Sequence, residues 1–149
     1  RRLEEMGVSL HARGILLEEV GFHGLSASPP WRSHMYCLPE DELQHALQVG
    51  YRQIADARRH VVLAHAPPRD GQLDRTFLGR HVGSTALREF IERHQPNLVV
   101  CGHVHEARGV ESLGRTTVVN CGAASAGWYG VVEIEPEKDV PVRPELRKA

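Results

Sequence analysis

No apolar run in the sequence approaches the roughly 20 residues that cross a bilayer, and its opening, RRLEEMGVSL, lacks the apolar stretch of a secretory signal. Both absences predict a cytoplasmic chain with no membrane partner. Charge of one sign is also missing, since 18 basic side chains against 19 acidic ones leave a formal net charge of -1. That balance gives no basic field for a phosphate backbone, so no specific nucleic acid is expected as a partner. Cysteine is scarce, and Cys37, Cys101 and Cys121 form no C-x-x-C pair, which argues against a disulfide framework and against a thiolate zinc site. They are expected to be reduced, buried small hydrophobes. Aromatic residues make up 5% of the chain, and Trp31, Trp128 and Tyr129 are expected to serve packing.

What is present is enough for one soluble domain: 149 residues, 41% hydrophobic and 25% charged. Ten histidines are an excess for that length. Histidine is the commonest metal ligand and general acid or base, so the excess directs attention to where each one falls.

Residues 8–25 hold two short runs rich in Val, Ile and Leu, broken by Gly14 and Gly21, and read as strands joined by tight turns. SASPPW, residues 26–31, breaks them, because its prolines cannot donate to a ladder. From Leu38 to Arg58 the period becomes helical: Pro39 with Glu40, Asp41 and Glu42 opens the helix, and Leu43, Ala46, Leu47, Ile54 and Ala55 share a face. HVVLA, residues 60–64, is a continuous apolar run of the kind found in strands buried on both faces of a parallel sheet. A long loop with two prolines follows. Ser84 then caps a second amphipathic helix that runs to His94, with Leu87, Phe90 and Ile91 as its stripe. NLVVC, residues 97–101, is the next buried strand, and further strands are expected over 115–120 and 129–135. The proline-rich segment 136–149 is expected to be a flexible tail after a folded unit at 1–135.

Strand, helix, strand, helix, strand over residues 60–101 predicts an α/β fold with parallel strands. Right-handed crossovers put the carboxyl ends of both apolar strands on one edge of the sheet, where such folds keep their functional groups. His65 directly follows HVVLA, and His103 and His105 follow NLVVC after Gly102. The three imidazoles are therefore expected side by side, as a half-shell for one or two metal ions. Gly102 is expected to permit a sharp turn and close backbone approach.

The motifs L-A-H-x-P-P and V-V-C-G-H-x-H, with the strand and small-residue turn after them, resemble the calcineurin-like metallophosphoesterase superfamily over roughly residues 1–134. The resemblance implies an α/β sandwich of two β-sheets flanked by helices, and hydrolysis of a phosphate-ester substrate, a phosphomonoester or phosphodiester, at a binuclear site. Its cofactors would be two divalent ions (Mn, Fe, Zn or similar), which in such sites clamp the attacking and leaving oxygens. By matching position, His65 and His103 would ligate the second metal and His105 the first. The family's upstream signatures, an Asp-x-His, a Gly-Asp and a Gly-Asn, do not occur, and Asp41, Asp56, Asp70, Asp74 and Asp139 stand in other contexts. The resemblance thus implies the C-terminal half of the family's domain, an incomplete ligand set, and little hydrolysis by the chain alone. The missing N-terminal half, or a homodimer sharing metals, is the expected partner. The alternative is a non-catalytic binding or scaffold module with a degenerate metal site. If half of the domain is missing, a strand edge and apolar surface should be exposed and the chain should associate. Among other polar residues, His34 is expected in solvent near the site's mouth, and Arg69 with Asp70 as a local ion pair.

Overall fold

A computed structural model describes residues 5–31, 36–137 and 142–149. His34 lies outside the described residues. The chain order is β1 (Ile15–Leu17), β2 (Val20–Leu25), α1 (Glu40–Arg52), β3 (Arg59–Ala64), α2 (Thr85–His94), β4 (Leu98–Cys101), β5 (Gly109–Leu113), β6 (Thr116–Asn120), β7 (Trp128–Val131) and β8 (Glu145–Lys148). Six strands form one sheet in the order β1-β2-β3-β4-β6-β5, and β7 pairs with β8 in a second, two-stranded sheet. Strands β2, β3, β4 and β6 are mutually parallel, whereas β1 and β5 are antiparallel edges.

The alternation of strand side chains divides the core in two. Leu25, Val62, Val99 and Val118 face α1 and α2 and pack with Leu43, Leu47, Leu87, Phe90 and Ile91. Val20, Val61, Leu98 and Val119 face the other way, against Val132, Ile134 and Leu146. This is a mixed α/β arrangement of two sheets with helices outside the larger one, as expected.

The helices end where local chemistry ends them. Ser84 accepts from the Leu87 N–H at 3.1 Å, the expected N-cap. The Glu40 carboxylate, itself in the first turn of α1, also accepts from Ser84 Oγ and the Thr85 and Ala86 N–H groups, joining the two helix starts. Helix α1 stops at Arg52, earlier than its apolar period suggests, so Ile54 is buried from a turn while Ala55 points to solvent.

Two expectations need correction, and one strand was not anticipated. Within the tail, Glu145–Lys148 pairs with β7, and Val142 is buried with its carbonyl accepting from Thr117 Oγ1 at 3.0 Å. Apolar Val142 and Leu146 find a partner on the sheet face, which outweighs Pro144 between them. Strand β5 was hidden by its polar residues, because it is an edge and needs only one apolar side. Of the cysteines Cys101 is buried, but Cys37 and Cys121 are half-buried.

Candidate functional site

Because β3 and β4 pair in parallel, with Val62 opposite Val99 and Leu63 opposite Val100, their carboxyl ends leave the sheet together. Backbone bonds continue across the edge: the His65 N–H donates to Leu25 O at 2.9 Å and the Gly102 N–H to His65 O at 3.2 Å. The side chains meet beyond it. His103 Nδ1 lies 2.9 Å from His65 Nε2, with the rings at 61°.

His103, and not Gly102, takes the unusual backbone conformation. Its φ is +66°, in the left-handed region, whereas a Cβ on Gly102 would meet nothing within 4 Å. A left-handed non-glycine residue costs about 1–3 kcal/mol and persists only where its surroundings hold it. They do so here: the Val104 N–H donates to Gly102 O at 2.7 Å, and the Val104 carbonyl accepts from buried Asn120 at 2.8 Å. Asn120 also donates to Leu73 O at 3.2 Å, which ties the loop after β3 to the turn after β4.

That loop is ordered around Asp74. Its buried carboxylate accepts from the N–H groups of Asp70, Gly71 and Gly83, and lies 2.7 Å from His81 Nδ1. Arg69 and Asp70 form an exposed ion pair at 3.7 Å.

Burial, then the neighbouring His65 and His105, pushes the His103 pKa down to about 4, against an opposing pull from Glu106. His65 is lowered too, by burial and then by His105. The rings are therefore neutral at pH 7 and keep a lone pair each. His105, exposed at the start of a short 3-10 turn, lies near enough to influence both.

Trp31 was expected to be a packing residue. It is instead 38% exposed, and its indole N–H donates to His103 Nε2 at 3.1 Å. A topological signal was available for it. Since β2 is also parallel to β3, the loop after β2 must emerge on the same edge as His65. Trp128 lies under the Arg108 guanidinium, 3.5 Å from its ring centroid, and Tyr129 is exposed on β7.

The sequence profile described as metallophosphoesterase, calcineurin superfamily, matches residues 31–143. The chain belongs to that family. An uncharacterised protein of Methanocaldococcus jannaschii is 29% identical over 110 residues, covering 70% of this metallophosphoesterase chain and 49% of that protein. A UPF0046 protein of Caenorhabditis elegans is 30% identical over 118 residues, covering 79% of the chain and 38% of the relative. The chain thus spans half or less of the length of these curated relatives. A crystal structure of a Thermus thermophilus protein matches in fold with a TM-score of 0.61 at 17% identity, covering 93% of this chain and 58% of that one.

The donor set does not complete a metallophosphoesterase centre. Among the described residues no three His, Cys, Asp or Glu side chains group closely enough to hold a metal ion. The two imidazoles in contact, His65 and His103, point nitrogen at nitrogen, and among the described residues no carboxylate groups with them to hold an ion. A groove of about 450 Å³ lies elsewhere, on the sheet face lined by Val20, Phe22, Val61, Leu63 and Val100. None of the three site histidines lines it.

Proposed function

We propose that the chain supplies the histidine side of a phosphoesterase metal centre, with His65 and His103 toward one divalent ion and His105 toward its neighbour. The observation that carries this reading is the meeting of His65 and His103 at 2.9 Å on the carboxyl edge of parallel strands, in a chain of this family. The substrate would be a phosphomonoester or phosphodiester. The carboxylate donors that a pair of ions requires would come from a preceding segment or from a second polypeptide, either an N-terminal half or another copy. Three cysteines that form no C-x-x-C pair are in keeping with a reducing compartment, and we place the reaction in the cytoplasm. No helix among the described residues is long and apolar enough to cross a membrane.

A non-catalytic binding or scaffold module is favoured by one observation, the lack of a three-ligand group among the described residues. Hydrolysis of bis(p-nitrophenyl) phosphate with added Mn²⁺, by the protein as its gene encodes it, separates the two. The enzyme reading expects His103→Ala and His105→Ala each to lower kcat/KM by about 100-fold or more, beyond the usual effect of losing a ligand's supporting contact. Full activity in both variants overturns the ligand assignment. A folded protein that neither hydrolyses the ester nor takes up Mn²⁺ or Zn²⁺ in titration calorimetry supports the scaffold.

A further inference from the structure

The loop between β3 and α2 carries a tight turn of unusual composition. Within RTFLGR, residues 75–80, the Gly79 N–H donates to Thr76 O at 2.8 Å and the Thr76 N–H to Arg80 O at 2.9 Å, while Arg75 and His81 form a short antiparallel bridge below. Gly79 takes a φ of +74°, the glycine position of a three-residue hairpin loop. Phe77 and Leu78 thus occupy the central positions of a turn, where Gly, Pro, Asn, Asp and Ser are the residues that favour the geometry. They are 90% and 85% exposed.

The turn is held from several sides. Thr76 Oγ1 donates to Arg80 O at 3.2 Å and accepts from the Arg80 N–H at 3.1 Å, and the Glu106 carboxylate accepts from the Phe77 N–H at 3.1 Å. Below it, buried Asp74 binds His81 and the Gly83 N–H. A fixed backbone therefore holds two large apolar side chains in water, which lowers the entropy cost of using them to bind. Arg75 and Arg80 flank them. Both are exposed, neither is in an ion pair among the described residues, and Arg75 Nη2 lies 3.6 Å from where a Cβ on Gly79 would stand.

The turn belongs to the sheet edge that carries the histidines, since Glu106 directly follows His105 and Asn120, at the end of β6, binds Leu73 O. The loop after β2 leaves by that edge too, and its Trp31 and Tyr36 are exposed. Trp and Tyr are the side chains enriched where a bilayer meets water. A tip of two residues falls well short of the roughly 800 Å² that each side of a standard protein interface buries. A bilayer deforms around such a tip and, when anionic, sets phosphates beside the two guanidiniums.

We propose that this turn is a peripheral membrane anchor: Phe77 and Leu78 enter the acyl boundary of an anionic bilayer while Arg75 and Arg80 bind lipid phosphates, which sets the histidine edge against the membrane surface. The anionic cytoplasmic leaflet suits a cytoplasmic protein. The expectation of no membrane partner rested on the lack of a spanning run, and this contact needs none. It is independent of what the histidines bind.

The test is co-sedimentation of the protein as its gene encodes it with vesicles of phosphatidylcholine alone or mixed equally with phosphatidylglycerol. Binding is expected on the mixed vesicles and to be at least about 10-fold weaker on the neutral ones, since each guanidinium near an anionic surface contributes about a fivefold gain. Phe77→Ser with Leu78→Ser is expected to weaken binding to the mixed vesicles by about 10-fold or more, and Arg75→Ala with Arg80→Ala by a similar factor. Phe77→Trp should gain an emission that shifts to the blue on mixed vesicles and is quenched by bromine on the acyl chains. Wild-type protein that stays in the supernatant with both vesicles overturns the proposal, as do equal binding to both, full binding by either double variant, and an unchanged spectrum in Phe77→Trp. Release by glycerol 3-phosphate would assign the arginines to a soluble phosphate and overturns it too. If another polypeptide segment covers the tip, the serine double variant unfolds more easily or sediments differently with vesicle binding unchanged, which again overturns the anchor.

Discussion

The side-chain amide of Asn120 donates to the carbonyl of Val104, the residue between His103 and His105, at 2.8 Å. A residue at the end of β6 thus holds the turn that presents both histidines. Its amide oxygen also accepts from the Gly122 N–H at 3.0 Å, so every polar atom of this buried side chain is used.

Replacing Asn120 by Ala strands two buried carbonyls and one N–H. A loss of about 3 kcal/mol is expected in urea unfolding, from a cost of roughly 1–3 kcal/mol per unsatisfied buried group with partial relaxation. The His65 and His103 NMR signals should broaden or move together in the same variant. Unchanged signals in a destabilised protein would confine Asn120 to a packing role.

Asp74 uses both carboxylate oxygens as acceptors: one for the Gly71 N–H and His81, the other for the Asp70 and Gly83 N–H groups. Asp74→Asn turns one oxygen into an amide that points hydrogens at donors. The near-isosteric change should therefore be almost as damaging as Asp74→Ala, about 2–4 kcal/mol, with faster proteolysis between Pro67 and Gly83. Wild-type stability in Asp74→Asn would show that the loop does not depend on this acceptor.

His23 is fully buried between Tyr51 and Phe90, and neither ring nitrogen has a hydrogen-bond partner among the described residues. Burial, then nearby His60 and His94, pushes its pKa down from 6.5 to about 4. The folded state therefore resists a proton that the unfolded chain accepts. Stability from this source is complete above pH 6.5, declines as pH falls through the window down to 4, and is lost below it. The size is about 3 kcal/mol at 1.36 kcal/mol per pKa unit. His23→Leu should flatten the acid limb of stability measured by urea unfolding between pH 4 and 7; an unchanged slope would mean that another group sets it.

The sheet face away from the helices leaves apolar side chains in the open, with Leu17 56% and Leu63 38% exposed beside the groove. Isolated chains are expected to associate through this face. Sedimentation velocity should show species heavier than a monomer, and Leu63→Lys should shift them toward monomer. A monodisperse wild-type monomer at high concentration contradicts the expectation.

Much of the site was legible before any coordinates. HVVLA and NLVVC are apolar runs too short for helices, Ser84 stands where a cap is needed, and the handedness of parallel crossovers then puts His65 beside His103. These are properties of nearest neighbours and of chain connectivity, so composition and period carry them. The tertiary structure decided the rest. That His103 rather than Gly102 takes the left-handed turn depends on Asn120, distant in sequence. That Trp31 donates to His103 instead of filling a core depends on where the loop after β2 lands. His23 looks like any other histidine until α1 and α2 close over it, and the tail reads as a linker until Leu146 finds the sheet. Each outcome turns on which distant group supplies a hydrogen bond or covers an apolar surface, and only the packed chain sets that choice.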